Sequence, residues 1–183
     1  MSIRSAYYLL KPLIPRSFQL HLRRQLVTQK QALYASKWPI DIAASLSREL
    51  FKGWPDDNKF AVILTHDVDT EKGKAKCFYL AEVERRLGFW SSFNFVPEKY
   101  RVDPNLLSQL VDSGFEIGVH GLNHDGKLYK SRKTFQERAT KINAYLKQWD
   151  AVGFRSPSMH HNLEWLHDLN IEYDASTFDT DPF

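Results

Sequence analysis

Cysteine is almost absent from this sequence, and several other features are missing with it. Cys77 is the single cysteine, so no disulfide can form within the chain, which is compatible with a reducing compartment. The N-terminus shows no secretory leader, and no window approaches the roughly 18 consecutive apolar residues of a membrane span. The chain also lacks a glycine-rich phosphate loop and the Gly-x-Ser-x-Gly pattern of serine hydrolases. We therefore predict a cytoplasmic protein without membrane-spanning helices or disulfides.

Acidic residues are scarce in the first part of the chain. Residues 1–52 contain nine Lys and Arg against two Asp and Glu, whereas the remainder contains 16 basic and 20 acidic residues. The net charge of +3 therefore combines a basic segment with a mildly acidic body. This pattern indicates either a solvated helical extension or a segment that contacts a membrane surface or a polyanion. Nothing else in the sequence favours nucleic acid as a partner.

A turn-rich stretch over residues 53–58 divides the chain. We predict a basic helical extension over residues 1–57 and a second domain over residues 58–183, each with a different texture. Amphipathic patterns in the extension predict two helices, at residues 16–35 and 41–51. In the second domain, short apolar runs alternate with amphipathic stretches. The runs predict strands at 60–64, 90–96, 115–120, 151–155 and 171–175, and the stretches predict helices at 71–87, 103–114, 131–149 and 162–169.

This alternation predicts an α/β fold with parallel strands and right-handed crossovers. Both an open doubly wound sheet and a (β/α) barrel satisfy the pattern. In either architecture, ligands bind beyond the carboxyl ends of the strands. Ionisable side chains follow four of the five predicted strands, and they are His66, Asp67, Asp69, His120, His124, Arg155 and Asp174.

Asp67 and Asp69 end the first strand. Residues two apart on an extended chain point to the same side, so both carboxylates can face one cavity while Val68 turns towards the core. Two carboxylates that close repel each other unless a cation joins them. One carboxylate could then bind a metal while the other serves as a general base. The alternative is that one of them only caps a helix or a turn.

His120 and His124 follow the third strand. A spacing of four places both imidazoles on one side of a helical turn, within reach of one ion. Two histidines and one carboxylate, with a position left for water, form a recurrent catalytic zinc site. Alone the spacing is also compatible with a solvated pair, but together with Asp67 and Asp69 it predicts a metal site. Asp125 comes next and could support the histidine ligands.

Arg155 and Asp174 follow the fourth and fifth strands. The permanent charge of Arg155 could hold a carboxylate ionised and oriented, although a surface ion pair is the alternative. Asp174 fits either a cap or a site residue. Pro157 stiffens the loop behind Arg155.

The whole set resembles the polysaccharide deacetylase family, the NodB-homology family or carbohydrate esterase family 4, over about residues 59–176. Thr65-His66-Asp67-Val68-Asp69 resembles the first family motif, and His120-Gly121-Leu122-Asn123-His124 resembles the second. Phe154-Arg155-Ser156-Pro157 resembles the third, and Tyr173-Asp174 resembles the fourth. The resemblance implies a distorted (β/α) barrel, incomplete at the C-terminus, that removes N-acetyl groups from a glycan or aminosugar.

The resemblance also implies roles for single residues. Asp67 would be the general base, and Asp69, His120 and His124 would hold a divalent metal, usually zinc. Three further roles concern the catalytic groups around the metal. Arg155 would orient Asp67, the Pro157–Ser158 segment would supply an oxyanion donor through the backbone N–H of Ser158, and Asp174 would tune the catalytic acid.

The sequence departs from the family pattern at three places. Val68 separates two aspartates that are usually adjacent, and Gly121 stands where Ser or Thr is usual. The fifth motif, a Leu-x-x-His with the general acid, is expected beyond Phe183, so we predict that this chain is truncated and lacks that acid.

Two other functions fit parts of the pattern. Asp67 and Asp69 after an apolar strand also resemble the nucleophile motif of haloacid-dehalogenase-type phosphatases, with magnesium as the metal. That interpretation leaves His120 and His124 unexplained, and Glu71 stands where Thr or Val is expected. The other alternative is a non-catalytic protein that binds a metal or a glycan.

Overall fold

The computed structural model describes residues 14–37, 54–58 and 60–177. The chain divides into two compact units, with a boundary between Pro55 and Asp56. In the first unit, the described residues form one long helix, α1, at Arg16–Leu33, which confirms the helix predicted there. The second predicted helix, over 41–51, lies outside the described residues. No helix in the described part of the chain is both long and apolar enough to cross a membrane.

The second unit contains a five-stranded parallel sheet whose strand order follows the chain order. A doubly wound sheet reverses its order at a switch point, so the sequential order favours the barrel type of α/β fold. The sheet formed by the described strands is open, with the first and fifth strands at its edges. The strands are β1 Thr65–Val68, β2 Ser92–Phe95, β3 Glu116–Val119, β4 Gly153–Phe154 and β5 Tyr173–Asp174.

Helices connect the strands, and several of them begin at a side-chain cap. Asp103 Oδ1 accepts the backbone N–H of Asn105, and Pro104 occupies the first turn, as the sequence predicts. Ser131 caps the following long helix through the N–H of Thr134. The helices are α2 Glu71–Lys74, α3 Cys77–Leu87, α4 Pro104–Asp112, α5 Arg132–Trp149 and α6 Leu163–Leu166.

The core of this unit lies around β2, which is buried along its whole length. Phe93 and Phe95 are fully buried on one face of the sheet, and Ser92 and Asn94 lie on the other face. Helix α5 adds apolar side chains that pack into the same cluster, and β4 adds another phenylalanine. These residues are Phe135, Ala139, Ile142, Leu146 and Phe154.

Two element predictions are wrong in detail. The apolar run 60–64 is not a strand, and Phe60, Val62 and Ile63 are 67–81% exposed. Pairing with β2 begins only at Thr65, because the register aligns Thr65 with Ser92. The predicted helix over 71–87 is divided into α2 and α3, and Gly73, a poor helix former, lies in the short first piece.

Candidate metal and catalytic site

Strand β1 places its side chains alternately on the two faces of the sheet. Val68 is buried towards α2, and His66 contacts Glu84 of α3, with His66 Nε2 2.6 Å from Glu84 Oε1. Asp67 points to the other face, where Asp69 also approaches the residues that follow β3 and β4. The alternation predicted from the spacing is therefore present, and it brings both carboxylates to one place.

Asp69 lies between the two histidines. Its Oδ1 atom is 3.3 Å from His120 Nε2 and 3.1 Å from His124 Nε2. The metal-ligating atoms of these three residues all lie within 4.8 Å of one another. Asp69 Oδ1 is buried and has no hydrogen-bond partner among the described residues. An oxygen in this position needs a positive partner, and a divalent cation fits both the atoms and their spacing.

His120 is oriented for metal binding by its other ring nitrogen. The imidazole is 2% exposed, and its Nδ1 lies 2.8 Å from the carbonyl oxygen of Arg155. Because a carbonyl only accepts, Nδ1 carries the proton and donates it, which leaves Nε2 with a free lone pair. Burial lowers the pKa of His120, and the nearby Asp67 and Asp69 only partly oppose that effect. The neutral tautomer that a metal requires is therefore the favoured form.

The two histidines meet through an irregular loop and not through the helical turn predicted from their spacing. Gly121 and His124 have left-handed backbones, with φ of 64° and 53°, so the segment cannot continue as a right-handed helix. The ring centroids of His120 and His124 are nevertheless 5.2 Å apart. A Cβ atom on Gly121 would lie 2.6 Å from Pro157 Cγ, so glycine permits the two loops to pack closely. The two imidazoles are therefore close together, as the spacing predicts, but the predicted helical turn between them is wrong.

Asp125 braces this loop from the outside. Arg138 of α5 donates two hydrogen bonds to it, at 2.7 and 2.8 Å, and the Lys127 N–H donates a third. The Arg138 guanidinium lowers the pKa of Asp125. Asp125 therefore connects the loop to α5 through Arg138. It supports His120 and His124 only indirectly, whereas its position in the sequence suggested direct contact with one of them.

Arg155 holds Asp67. Its Nε is 3.3 Å from Asp67 Oδ2, and its Nη1 donates a 2.7 Å hydrogen bond to Thr65 Oγ1. The backbone N–H of Arg155 bonds Val119 at the end of β3, which fixes where the side chain starts. The guanidinium therefore pairs with the Asp67 carboxylate while its Nη1 is held by Thr65.

Asn94 also reaches Asp67, and sequence reasoning missed it. Its Nδ2 lies 3.4 Å from Asp67 Oδ1, and the residue is only 2% exposed. The register aligns Asp67 with Asn94 and Asn94 with Gly118. A Cβ atom on Gly118 would lie 2.1 Å from Asn94 Oδ1, so the glycine makes the space that the carboxamide fills. The signal in the sequence was an amide side chain between two phenylalanines of a predicted strand.

Tyr100 is a second residue that the sequence did not reveal. Its hydroxyl donates to the Val68 carbonyl, between the two aspartates, and accepts the N–H of Val96. Burial raises the pKa of this phenol well above its ordinary value, which keeps it a donor. Tyr100 thereby joins the ends of β1 and β2.

Asp174 lies apart from the other predicted site residues. Its described hydrogen bonds all go to Ser176, whose hydroxyl donates to Asp174 Oδ1 and accepts the N–H of Ser156. Asp174 therefore supports the loop after β4 from behind. In that loop Pro157 is buried against Gly121, and Ser158 is exposed with a φ of 57°. Strained backbones of this kind occur often at functional sites.

A cleft of about 670 Å³ opens elsewhere, at the amino ends of β1, β2 and β3. Its apolar wall includes Val62, Ile63 and Trp90, and neither the histidines nor Asp67 and Asp69 line it. Cavity size therefore does not locate the candidate site in this protein. The cluster of ionisable side chains locates it.

Comparison with known proteins yields structural neighbours only. No family model matches the chain, and no curated protein matches it. A predicted polysaccharide deacetylase from Mycobacterium smegmatis aligns over 67% of this chain and 52% of its own, with 21% identity and a TM-score of 0.55. A family 4 carbohydrate esterase pseudoenzyme from Bacillus anthracis aligns over 61% and 41%, with 16% identity and a TM-score of 0.52.

A family 4 carbohydrate esterase from Streptomyces lividans, solved with acetate, aligns over 58% of this chain and 56% of its own, with 18% identity and a TM-score of 0.48. The chain thus spans about half the length of the solved structures that it matches. The second unit has the (β/α) fold of the polysaccharide deacetylases, with an incomplete sheet.

Proposed function

We propose that the chain binds one divalent metal ion and hydrolyses N-acetyl or other N-acyl groups of a glycan or aminosugar. The observation that carries this proposal is the meeting of Asp69, His120 and His124 beside a carboxylate that an arginine orients. The fold agrees with it, because a neighbour of the same fold is described as a polysaccharide deacetylase.

Asp69, His120 and His124 are the proposed ligands, and zinc suits two imidazoles with one carboxylate. Such an ion would polarise the acyl carbonyl and acidify a water molecule at the site. Asp69 Oδ1 is buried and accepts no hydrogen bond from the described residues, and His120 Nε2 has a free lone pair, which together support this ligand set. The Arg155 carbonyl keeps the His120 ring in place and in the required tautomer.

Asp67 is the proposed general base. The Oδ2 atom of Asp67 lies 3.8 Å from His120 Nε2, whereas Asp69 Oδ1 is closer. Asp67 therefore lies beside the proposed metal ligands, and Asp69 is the third ligand. An ionised Asp67 can take a proton from the water that attacks the acyl carbon, and a proton must then reach the amine nitrogen as the C–N bond breaks. Arg155 and Asn94 direct the two carboxylate oxygens, one from each side. Fixing the base in this way lowers the reorganisation that proton transfer requires.

The loop after β4 is the proposed oxyanion site. The negative charge that develops on the acyl oxygen would be met by the backbone N–H of Ser158. The contact between Pro157 and Gly121 and the hydrogen bond from the Ser156 N–H to Ser176 Oγ hold the start of this loop. We propose that Asp174 positions this loop through its hydrogen bond with Ser176. In this way Asp174 would also influence a catalytic acid close to the loop.

The test is acetate release from N-acetylated chitooligosaccharides by the zinc-loaded protein. We expect Asp67→Asn to lower kcat by roughly 10²–10⁴-fold and to retain zinc. Asp112→Asn, an exposed aspartate on α4, is the matched control and should keep the wild-type rate. Full activity in Asp67→Asn would overturn the assignment of the base.

The second candidate is a non-catalytic metal or glycan binder, because one neighbour of this fold is a pseudoenzyme. Bound zinc and glycan without acetate release from any N-acetylated substrate would favour it. The phosphatase alternative leaves unexplained why His120 and His124 surround Asp69. Trapping of an aspartyl-phosphate analogue on Asp67 with beryllium fluoride would support that alternative.

A further inference from the structure

Helix α1 has an unusual surface for a helix of its length. Its 18 residues span about 27 Å, and only Gln19 among them is buried. Four of its residues are basic and none is acidic: Arg16, Arg23, Arg24 and Lys30. Little of the surface of α1 is therefore buried in the described part of the chain, whereas most protein helices are stabilised by packing of one face.

Four apolar residues form a stripe along one side of the helix, whereas Leu20 and Val27 lie on the side of the arginines. Phe18, Leu22 and Leu26 follow one another at intervals of four, and Leu33 continues the same stripe seven residues later. Phe18, Leu26 and Leu33 are 53%, 61% and 77% exposed. We call these four residues the apolar stripe.

Basic side chains lie beside this stripe. Arg16 and Arg23 are seven residues apart and therefore share one edge, and Arg24 lies on the other side of the helix. All three are exposed, and no acidic residue of α1 is available to neutralise them. An occupant of this surface must therefore offer both an apolar phase and negative charge.

We propose that α1 binds the surface of a membrane that contains anionic lipids. The apolar stripe would enter the boundary between headgroups and acyl chains, and the arginines would contact the lipid phosphates. The helix would lie in the plane of the surface, because its 18 residues are not apolar enough to cross the bilayer. This inference concerns the first unit and does not depend on the proposed catalytic activity.

Two other occupants fit this surface less well. In a coiled coil with a second copy, the seam that contains Leu22, Leu26 and Leu33 would also contain Gln19 and Gln29. Two such helices would also bring unneutralised arginines together. Nucleic acid would meet the arginines through its phosphates but would leave the apolar stripe in water.

The experiment is co-sedimentation of the full chain with lipid vesicles. We expect binding to phosphatidylcholine vesicles that contain phosphatidylglycerol, and binding weaker by roughly tenfold or more to phosphatidylcholine alone. The triple variant Arg16→Gln, Arg23→Gln, Arg24→Gln should lose this preference, and added salt should weaken the binding of the wild type. Equal binding to both kinds of vesicle, or binding to neither, would overturn the proposal.

Neighbouring residues provide a matched pair for the apolar stripe. Leu26→Ser should weaken vesicle binding, whereas Val27→Ser should not, because Val27 is also exposed but points away from the stripe. Circular dichroism of both variants verifies that each is folded. A lipid-free dimer that Leu26→Ser abolishes, or equal loss of binding in the two variants, would contradict a membrane role.

Discussion

Asp67 and Asp69 are two residues apart and have different surroundings, which sequence alone could only partly anticipate. The period of two predicts that they share a face, and this is independent of the rest of the fold. Their division of labour depends on residues that are far away in the chain. Arg155 was predicted because it follows a strand, whereas Asn94, Thr65 and their hydrogen bonds come from strand register, which no local pattern reveals.

Asn94 offers the sharpest test of how Asp67 is held. Asn94→Leu keeps a similar volume but removes the donor to Asp67 Oδ1. Because Asn94 acts on the base and not on the metal ligands, kcat should fall by about tenfold while KM and zinc affinity stay unchanged. Steady-state kinetics and zinc titration together check this outcome. A parallel loss of zinc would show that Asn94 supports the whole site and not the base alone.

Cys77 should be an unreactive thiol. Burial raises the pKa of its thiol to about 11, so at pH 8 the folded protein contains almost none of the nucleophilic thiolate. Unfolding restores the ordinary pKa and exposes the sulfur, so alkylation by iodoacetamide should accelerate strongly in guanidinium chloride. The folded-state rate should rise only as the pH approaches the raised pKa. Rapid alkylation of the native protein at pH 8 would contradict this assignment.

The elements show where local patterns mislead. Asp103 with Pro104 begins α4 as predicted, because capping is a local interaction. The run 60–64 has the composition of a buried strand but is exposed, because pairing partners and not composition decide where β1 begins. The path of the His120–His124 loop likewise depends on a residue distant in the chain, because Gly121 packs closely against Pro157.

Gly121 allows a test of that loop with an internal control. Gly121→Ala places a Cβ atom against Pro157 Cγ and should weaken zinc binding by about 10–100-fold, as the loss of a contact that positions a metal ligand does. Gly126→Ala has a comparable φ of 72° but meets no atom within 4 Å. Both variants should lose about 1 kcal/mol of stability from the left-handed backbone, whereas only Gly121→Ala should lose zinc affinity. Equal zinc affinities, measured by competition with a chelator, would contradict a role for this contact.

At the scale of the molecule, the alternation of strands and helices predicted an α/β fold but left its type open. The sequential strand order decides for the barrel type, and strand order is a long-range property that periodicity does not contain. Residues 1–52 are basic and the remainder of the chain is mildly acidic, which is compatible with separate roles for the two units. The basic first unit carries the proposed membrane surface, and the second carries the proposed metal site.

We propose that residues 1–57 and 58–183 are separate domains with separate tasks. Removal of residues 1–57 should then leave zinc binding unchanged, because every proposed ligand and its described partners lie after residue 57. The same deletion should abolish vesicle binding. Zinc titration and vesicle co-sedimentation of the shortened chain measure both effects. Loss of zinc binding in a shortened chain that circular dichroism shows to be folded would refute this division.

In the proposed site, Asp69, His120 and His124 hold one metal ion, and Asp67 lies beside it. Anomalous diffraction at the zinc edge, from crystals of the zinc-loaded protein, tests this most directly because it locates the ion itself. We expect one peak per chain, about 2.0–2.2 Å from a carboxylate oxygen of Asp69 and from Nε2 of each histidine, with Asp67 outside the ligand set. A peak at another position, or an ion bound by Asp67 in place of Asp69, would contradict it.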